Sequence, residues 1–278
     1  MKLLFTTFFQ ASALLAALLP PPIASAADGP PHTPVVQVNA LSNPDQRSYA
    51  AIIKGMDLFE KLHGKMAPDA ALRFELQPSR AKTIMKNVQL RIAGRDGSVP
   101  VALADDMTFT VPRLPAMLAE RATVSSNRRD DSLLWRARIR TPGLPPNTRR
   151  LGDLRLEWHV DYVAELGPRW IAPGSKLVMA MMERPYEMRG LHHLFLADRP
   201  LFGVTMVSGE RRQVISADLL YLSNISQALP SIFLALWKDR NFIKDRAYDL
   251  PLHDASWPDD TLVVIEYMDD VAPLADKP

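Results

Sequence analysis

The segment LGDLRLEWHVDYVA, Leu151 to Ala164, sets Leu154, Leu156, Trp158, Val160 and Tyr162 in alternation with Arg155, Glu157, His159 and Asp161. A period of two is the pattern of a strand buried on one face. The expectation is a β-strand over 154–162 with a single register, because a slip of one residue would put all five large apolar side chains into water. Upstream, Leu133 to Arg140 alternates as well, with Trp135, Ala137 and Ile139 on one face and Arg136, Arg138 and Arg140 on the other. The apolar faces of the two segments coincide only if paired residue numbers sum to an odd value. A proline-rich connection of about a dozen residues is long enough to join antiparallel neighbours. The two segments are therefore expected to pair, with Trp135 and Trp158 buried on one core.

Further strands are expected on both sides. Leu72–Leu76, Val88–Ile92, Val99–Leu103, Met107–Val111 and Ala122–Val124 alternate or are β-rich, with turns at Gly94–Gly97 and at Asn127–Asp131. Later candidates are 177–182, 194–196, 202–207, 213–216, 219–222, 232–237 and 262–267, with a hairpin turn at Ser208-Gly209. Residues 225–237 also read as helix, although Pro230 argues against a continuous one. Tyr49, Ile52, Ile53, Met56, Phe59 and Leu62 fall at helical spacing behind Ser48, a candidate N-cap, with Gly64 as a stop. Its expected role is to cover a sheet face. The 24 prolines outnumber the 12 glycines, the reverse of the usual order, and proline at that density breaks helices and favours turns and strand edges. The fold class expected is all-β: an antiparallel β-sandwich, two sandwich domains, and one accessory N-terminal helix.

Met1-Lys2, the apolar run Leu3 to Leu19 and Ala24-Ser25-Ala26 have the three parts of a secretory signal, with cleavage expected after Ala26. The rival is an uncleaved anchor of about 17 residues, which is short for a bilayer. The resulting division is 1–26 signal peptide, 27–67 lead-in and helix, 68–166 first β-sandwich domain and 167–278 second β-rich domain. The last boundary rests on Gly167-Pro168 and Pro173-Gly174. The 278 residues carry a formal charge of +2, too balanced to imply nucleic acid, and no cysteine. That composition removes disulfides, thiol nucleophiles, Cys-ligated metals and a lipidated cysteine.

Thr141 to Glu157 and Asp254-Ala255-Ser256-Trp257-Pro258-Asp259-Asp260-Thr261-Leu262-Val263 resemble exported bacterial proteins of unknown function. The resemblance implies an envelope protein and assigns no site residue.

Glu183, Glu187, His192 and His193 lack both His-Glu-x-x-His and His-x-x-x-His spacing, so no metal and no cofactor is expected. The acidic pairs Asp105-Asp106, Asp130-Asp131, Asp259-Asp260 and Asp269-Asp270 lack a calcium-loop spacing and read as solvated turns. Gly-x-Ser-x-Gly and glycine-rich phosphate loops are absent. The informative cations are Arg136, Arg138 and Arg140 on one strand face, extended by Arg149 and Arg150. One reading is a solvated ladder facing Arg155, Glu157, His159 and Asp161. The other is a binding surface for an anionic ligand. The function expected is non-catalytic binding or structural work in the bacterial envelope, with an envelope protein or an anionic envelope ligand as partner and no transmembrane segment after signal cleavage. The alternatives are an envelope hydrolase and a periplasmic assembly factor that adds a partner strand to an exposed edge.

Overall fold

In the computed structural model, β2 (Ala71–Pro78) and β7 (Leu133–Arg140) pair antiparallel along their full length, from Ala71 opposite Arg140 to Pro78 opposite Leu133. β5 (Thr108–Phe109) lies on the other side of β2. Leu72, Phe74 and Leu76 thus meet Ile139, Ala137 and Trp135 on one apolar face. The pairing expected between 133–140 and 154–162 does not form; β2 is the partner of β7. The structure describes residues 42–166, 185–187, 195–221, 223 and 243–270. The signal segment, the break at 167–174 and the candidates 177–182 and 232–237 lie outside them.

The strand expected at 154–162 is a helix, α3 (Leu151–Val163). Alternation misleads here because the helix is buried on all sides: Leu151 through Asp161 are all shielded from water, polar residues included. A helix surrounded by protein has no solvated face, so its sequence need not show the usual apolar stripe. What it shows is Asp153, Glu157 and Asp161 at intervals of four, one polar line along the axis. Trp135 and Trp158 are nevertheless both buried.

α1 (Tyr49–Met66) begins where expected, with the Ser48 side chain accepting from the Ala51 N–H at 3.3 Å. It runs past Gly64, which in a helix interior costs only about 1 kcal/mol, and closes through the Ala67 N–H to the His63 carbonyl. α1 packs on α3 at Gly55, where an added Cβ would lie 2.8 Å from that of Ala164. At the start of α3, Gly152 passes so close that a Cβ would lie 2.1 Å from the Met66 carbonyl oxygen.

A second antiparallel sheet has the order β1 (Pro44–Ser48), β6 (Thr123–Arg129), β3 (Leu90–Ala93), β4 (Ser98–Val101). The β3–β4 turn at Gly94–Gly97 is as read, whereas β6 runs on to Arg129 and turns only at Asp130-Asp131. A short helix, α2 (Pro115–Ala119), precedes β6. The third sheet has the order β11 (Arg211–Val214), β10 (Leu201–Ser208), β13 (Leu262–Tyr267), β8 (Thr148–Arg150). β10 and β11 form the hairpin expected at Ser208-Gly209. β9 (Phe195–Leu196) and β12 (Ala247–Tyr248) make a two-stranded ribbon. Leu219–Leu222 is no strand where described: Ala217–Leu219 is a 3-10 turn and Leu220 only bridges to Tyr248.

Every strand pairing described is antiparallel, in a chain with few helices. Residues 39–278 form one compact unit, and one hydrophobic cluster runs from Tyr49 to Tyr267. β8 and β13 pair across the boundary expected at 167.

Candidate functional site

The site begins at the open edge of β7. In an antiparallel pair alternate N–H groups point away from the partner strand, and an uncovered row of them is an invitation to further pairing. Here carboxylates take the place of a neighbouring strand. Asp161 accepts from the Ala137 N–H, Glu157 from Ile139 at 3.0 Å and Asp153 from Thr141 at 2.9 Å. Four helical residues rise about 6.0 Å and two strand residues about 6.6 Å, so side chains at i, i+4 and i+8 stay in step with every second N–H. Asp45, on β1, extends the row by accepting from Leu133 at 2.8 Å and from the Trp135 indole at 3.0 Å. Burial raises the Asp45, Asp153 and Asp161 carboxyls, the last to about 7, against the pull of these hydrogen bonds and neighbouring arginines.

Glu157 has a second role. It accepts from Arg149 Nη2 at 2.7 Å, and the same nitrogen donates to the Ile139 carbonyl at 2.9 Å. Arg149 is 5% exposed. Burial opposes its charge, yet the Glu157 carboxylate beside it leaves the guanidinium more firmly protonated than usual. The α3 acids therefore both cover the β7 edge and hold a buried cation.

Arg149 is on the wall of a cavity of about 200 Å³, shared with Arg140, Asn147, Thr148, Asp198, Tyr248, Tyr267 and the aliphatic Leu196 and Ile265. β7 supplies Arg140, β8 Arg149, the ribbon Leu196 and Tyr248, and β13 Ile265 and Tyr267. Among the described residues Tyr248 Oη and Arg149 Nε are buried without a hydrogen-bond partner. Among the described residues Arg140 has one charged neighbour at ion-pair range, Asp198 at 3.7 Å, too long for a hydrogen bond. Burial pushes the Tyr248 phenol up to about 12, so it stays a neutral O–H donor. Burial and then Arg149 lower the Arg140 guanidinium. Buried donors of this kind are nearly always satisfied in native proteins. Both residues border the cavity, where the two donor atoms themselves are sealed from solvent.

Of the five arginines singled out from the sequence, the structure brings Arg140 and Arg149 together. Arg136 lies 3.4 Å from Asp161, and Arg138 lies 3.7 Å from both Glu75 and Asp106. Arg150 sits on β8 opposite Leu262, away from the cavity wall. The expected solvated ladder is corrected as well. The cross-strand neighbours of Arg136 and Arg138 are Glu75 and Arg73, and this face is half-buried, with Arg246 donating to Gln77 at 2.7 Å. The four acidic pairs read as solvated turns each meet an arginine: Asp106 lies 3.7 Å from Arg138, Asp131 takes Arg80 at 3.1 Å, Asp259 takes Arg155 at 2.6 Å, and Asp269 with Asp270 clasps Arg199. Tyr248, Tyr267 and Asp198 were missed, and no spacing signal announces them, because the cavity assembles from four separate stretches of chain.

Of the weak metal candidates, Glu183, His192 and His193 lie outside the described residues; Glu187 ends a 3-10 turn. Among the described residues no group of three His, Asp or Glu side chains could hold a metal ion. His159 is buried in α3 against the Tyr186 ring, 6.3 Å between centroids, and burial lowers its pKa to about 4, so it stands there as a neutral ring. Comparison with family models, with curated proteins and with solved structures returned no match.

Proposed function

We propose that the chain is an exported, non-catalytic binding protein of the bacterial envelope whose Arg140–Arg149–Tyr248 cavity takes the anionic group of a small ligand. The observation that carries this reading is the coincidence of unpartnered buried donors on one wall, Tyr248 Oη and Arg149 Nε, beside a guanidinium with no close hydrogen bond. A buried phenol without an acceptor costs about 1–3 kcal/mol, and a carboxylate or phosphate oxygen placed there recovers it. Such a cost, held in a preformed cavity, is the signature of a binding site rather than of a stabilising core. Export and residence in the envelope rest on the Met1–Ala26 pattern and on the resemblance noted for Thr141–Glu157. The layered sandwich is part of the reading. The division into two domains is not retained, because one hydrophobic cluster joins the halves.

The test is titration calorimetry with propionate and with inorganic phosphate on the wild type and on Tyr248→Phe. Binding of either anion in the wild type that falls at least fivefold in the variant supports the reading. Binding indifferent to Tyr248→Phe removes it.

A strand-addition role has one observation in its favour: β11 is an edge strand whose four residues are all exposed.

A further inference from the structure

The cavity is rich in donors but balanced in charge. Arg140 and Arg149 are matched by Glu157 and Asp198. A simple anion entering this site brings a charge that nothing offsets. A ligand carrying a cation beside its anion brings none.

Asp198 is placed to meet that cation. It lines the same cavity, its side chain is 55% exposed, and among the described residues its one ion-pair neighbour is Arg140 at 3.7 Å. Among the described residues its carboxylate accepts no hydrogen bond that the geometry would count as formed. An ammonium group supplies three donors to such a carboxylate. The wall thus carries two complementary ends. Tyr248 and the two guanidiniums donate, and Asp198 accepts. The volume of about 200 Å³ slightly exceeds the roughly 150 Å³ that accommodates benzene, which suits a molecule of six to ten heavy atoms. Leu196 and Ile265 offer a small apolar surface for a short side chain.

Resting on the anion-binding reading above, we infer that the cavity selects a small zwitterion of the α-amino acid class, its carboxylate against Arg140, Arg149 and Tyr248 and its ammonium against Asp198. Selection comes from the ammonium, because a carboxylic acid of the same shape leaves Asp198 without its donor and adds a net negative charge to a balanced site.

The experiment compares matched pairs by titration calorimetry on the full chain: L-alanine with propionate, and L-norvaline with pentanoate. The amino acids should bind at least tenfold more tightly than the matched acids. Asp198→Asn should bring each amino acid down to the level of its acid and, by removing one negative charge from the wall, should tighten the acids. Tyr248→Phe should weaken both members of each pair. Thermal melts of each variant confirm that it is folded. Equal affinity for amino acid and acid, with both reduced by Tyr248→Phe, overturns the zwitterion inference and leaves the anion reading standing. If neither series binds, or if Tyr248→Phe changes nothing, the anion reading itself fails and takes the inference with it.

Discussion

Replacing Glu157 by alanine tests whether the α3 carboxylates truly stand in for a missing strand. The side chain serves two buried partners, the Ile139 N–H at 3.0 Å and Arg149 Nη2 at 2.7 Å. Its loss leaves a buried backbone donor unsatisfied, which costs about 1–3 kcal/mol. Among the described residues it also leaves the buried guanidinium with the Ile139 carbonyl as its one hydrogen-bond partner, and removing one member of a buried pair costs about 3–5 kcal/mol. The two share Arg149 and Ile139 and are not independent, so the sum is an upper bound, and about 5 kcal/mol is expected. That is a large part of the roughly 5–15 kcal/mol available to a domain. Glu157→Gln keeps an oxygen for Ile139 and loses only the charge, so it should cost about half as much. Urea unfolding followed by tryptophan fluorescence measures both, since Trp135 and Trp158 flank the affected strand and helix. A loss under about 1 kcal/mol for Glu157→Ala, with an unchanged slope against urea, would refute the reasoning.

Two buried groups of α3 oppose one another in their pH response. His159 is held at about 4 by burial, below its ordinary 6.5, so its contribution is complete above pH 6.5 and is lost as the pH falls towards 4. Asp161 is raised to about 7, mainly by burial, so its contribution is complete below pH 3.8 and is lost as the pH rises through 7. At about 1.36 kcal/mol per pH unit the His159 shift is worth about 3 kcal/mol and the Asp161 shift about 4 kcal/mol across their windows. Asp161→Asn should therefore gain stability from pH 4 to 6.5, and His159→Gln should lose it over pH 4 to 7, with the wild type flatter than either; parallel profiles for all three would contradict this. Gly152→Ala should cost at least about 3 kcal/mol, because a Cβ 2.1 Å from the Met66 carbonyl oxygen forces the α1 and α3 ends apart; a melting temperature within 2 °C of wild type, roughly 1 kcal/mol at most, would show that the approach is not tight. Intact-mass measurement on protein from an envelope fraction should give a mature chain beginning at Ala27, and recovery of the intact Met1 form would count against processing.

The local signals that survived into the structure are those that a short stretch settles alone. Ser48 caps α1 because a side-chain oxygen three residues before an N–H needs no help from elsewhere. Gly94–Gly97 and Ser208-Gly209 turn for similarly local reasons. Leu133–Arg140 and Leu262–Tyr267 show one face to the core, and their period reports it. β1 and β8, by contrast, have no pattern of their own. Pro44–Ser48 and Thr148–Arg150 are strands because β6 and β13 present edges to them.

Leu151 to Ala164 marks the limit of the sequence alone. Period two and the i, i+4, i+8 line of Asp153, Glu157 and Asp161 are both present in the same letters, and nothing local chooses between them. Tertiary structure chose the helix, because the β7 edge offers N–H groups at a spacing that a helical row of carboxylates can match and because α1 packs against the same helix. The sequence by itself determined that the chain is β-rich, that Trp135 and Trp158 belong inside, and that Arg140 and Arg149 stand with Arg136, Arg138 and Arg150 among five arginines of note. Only the tertiary structure decided that those two arginines share a cavity with Tyr248 and Asp198, since hydrophobic period and turn chemistry act over a few residues, whereas a cavity wall is assembled by packing across a hundred.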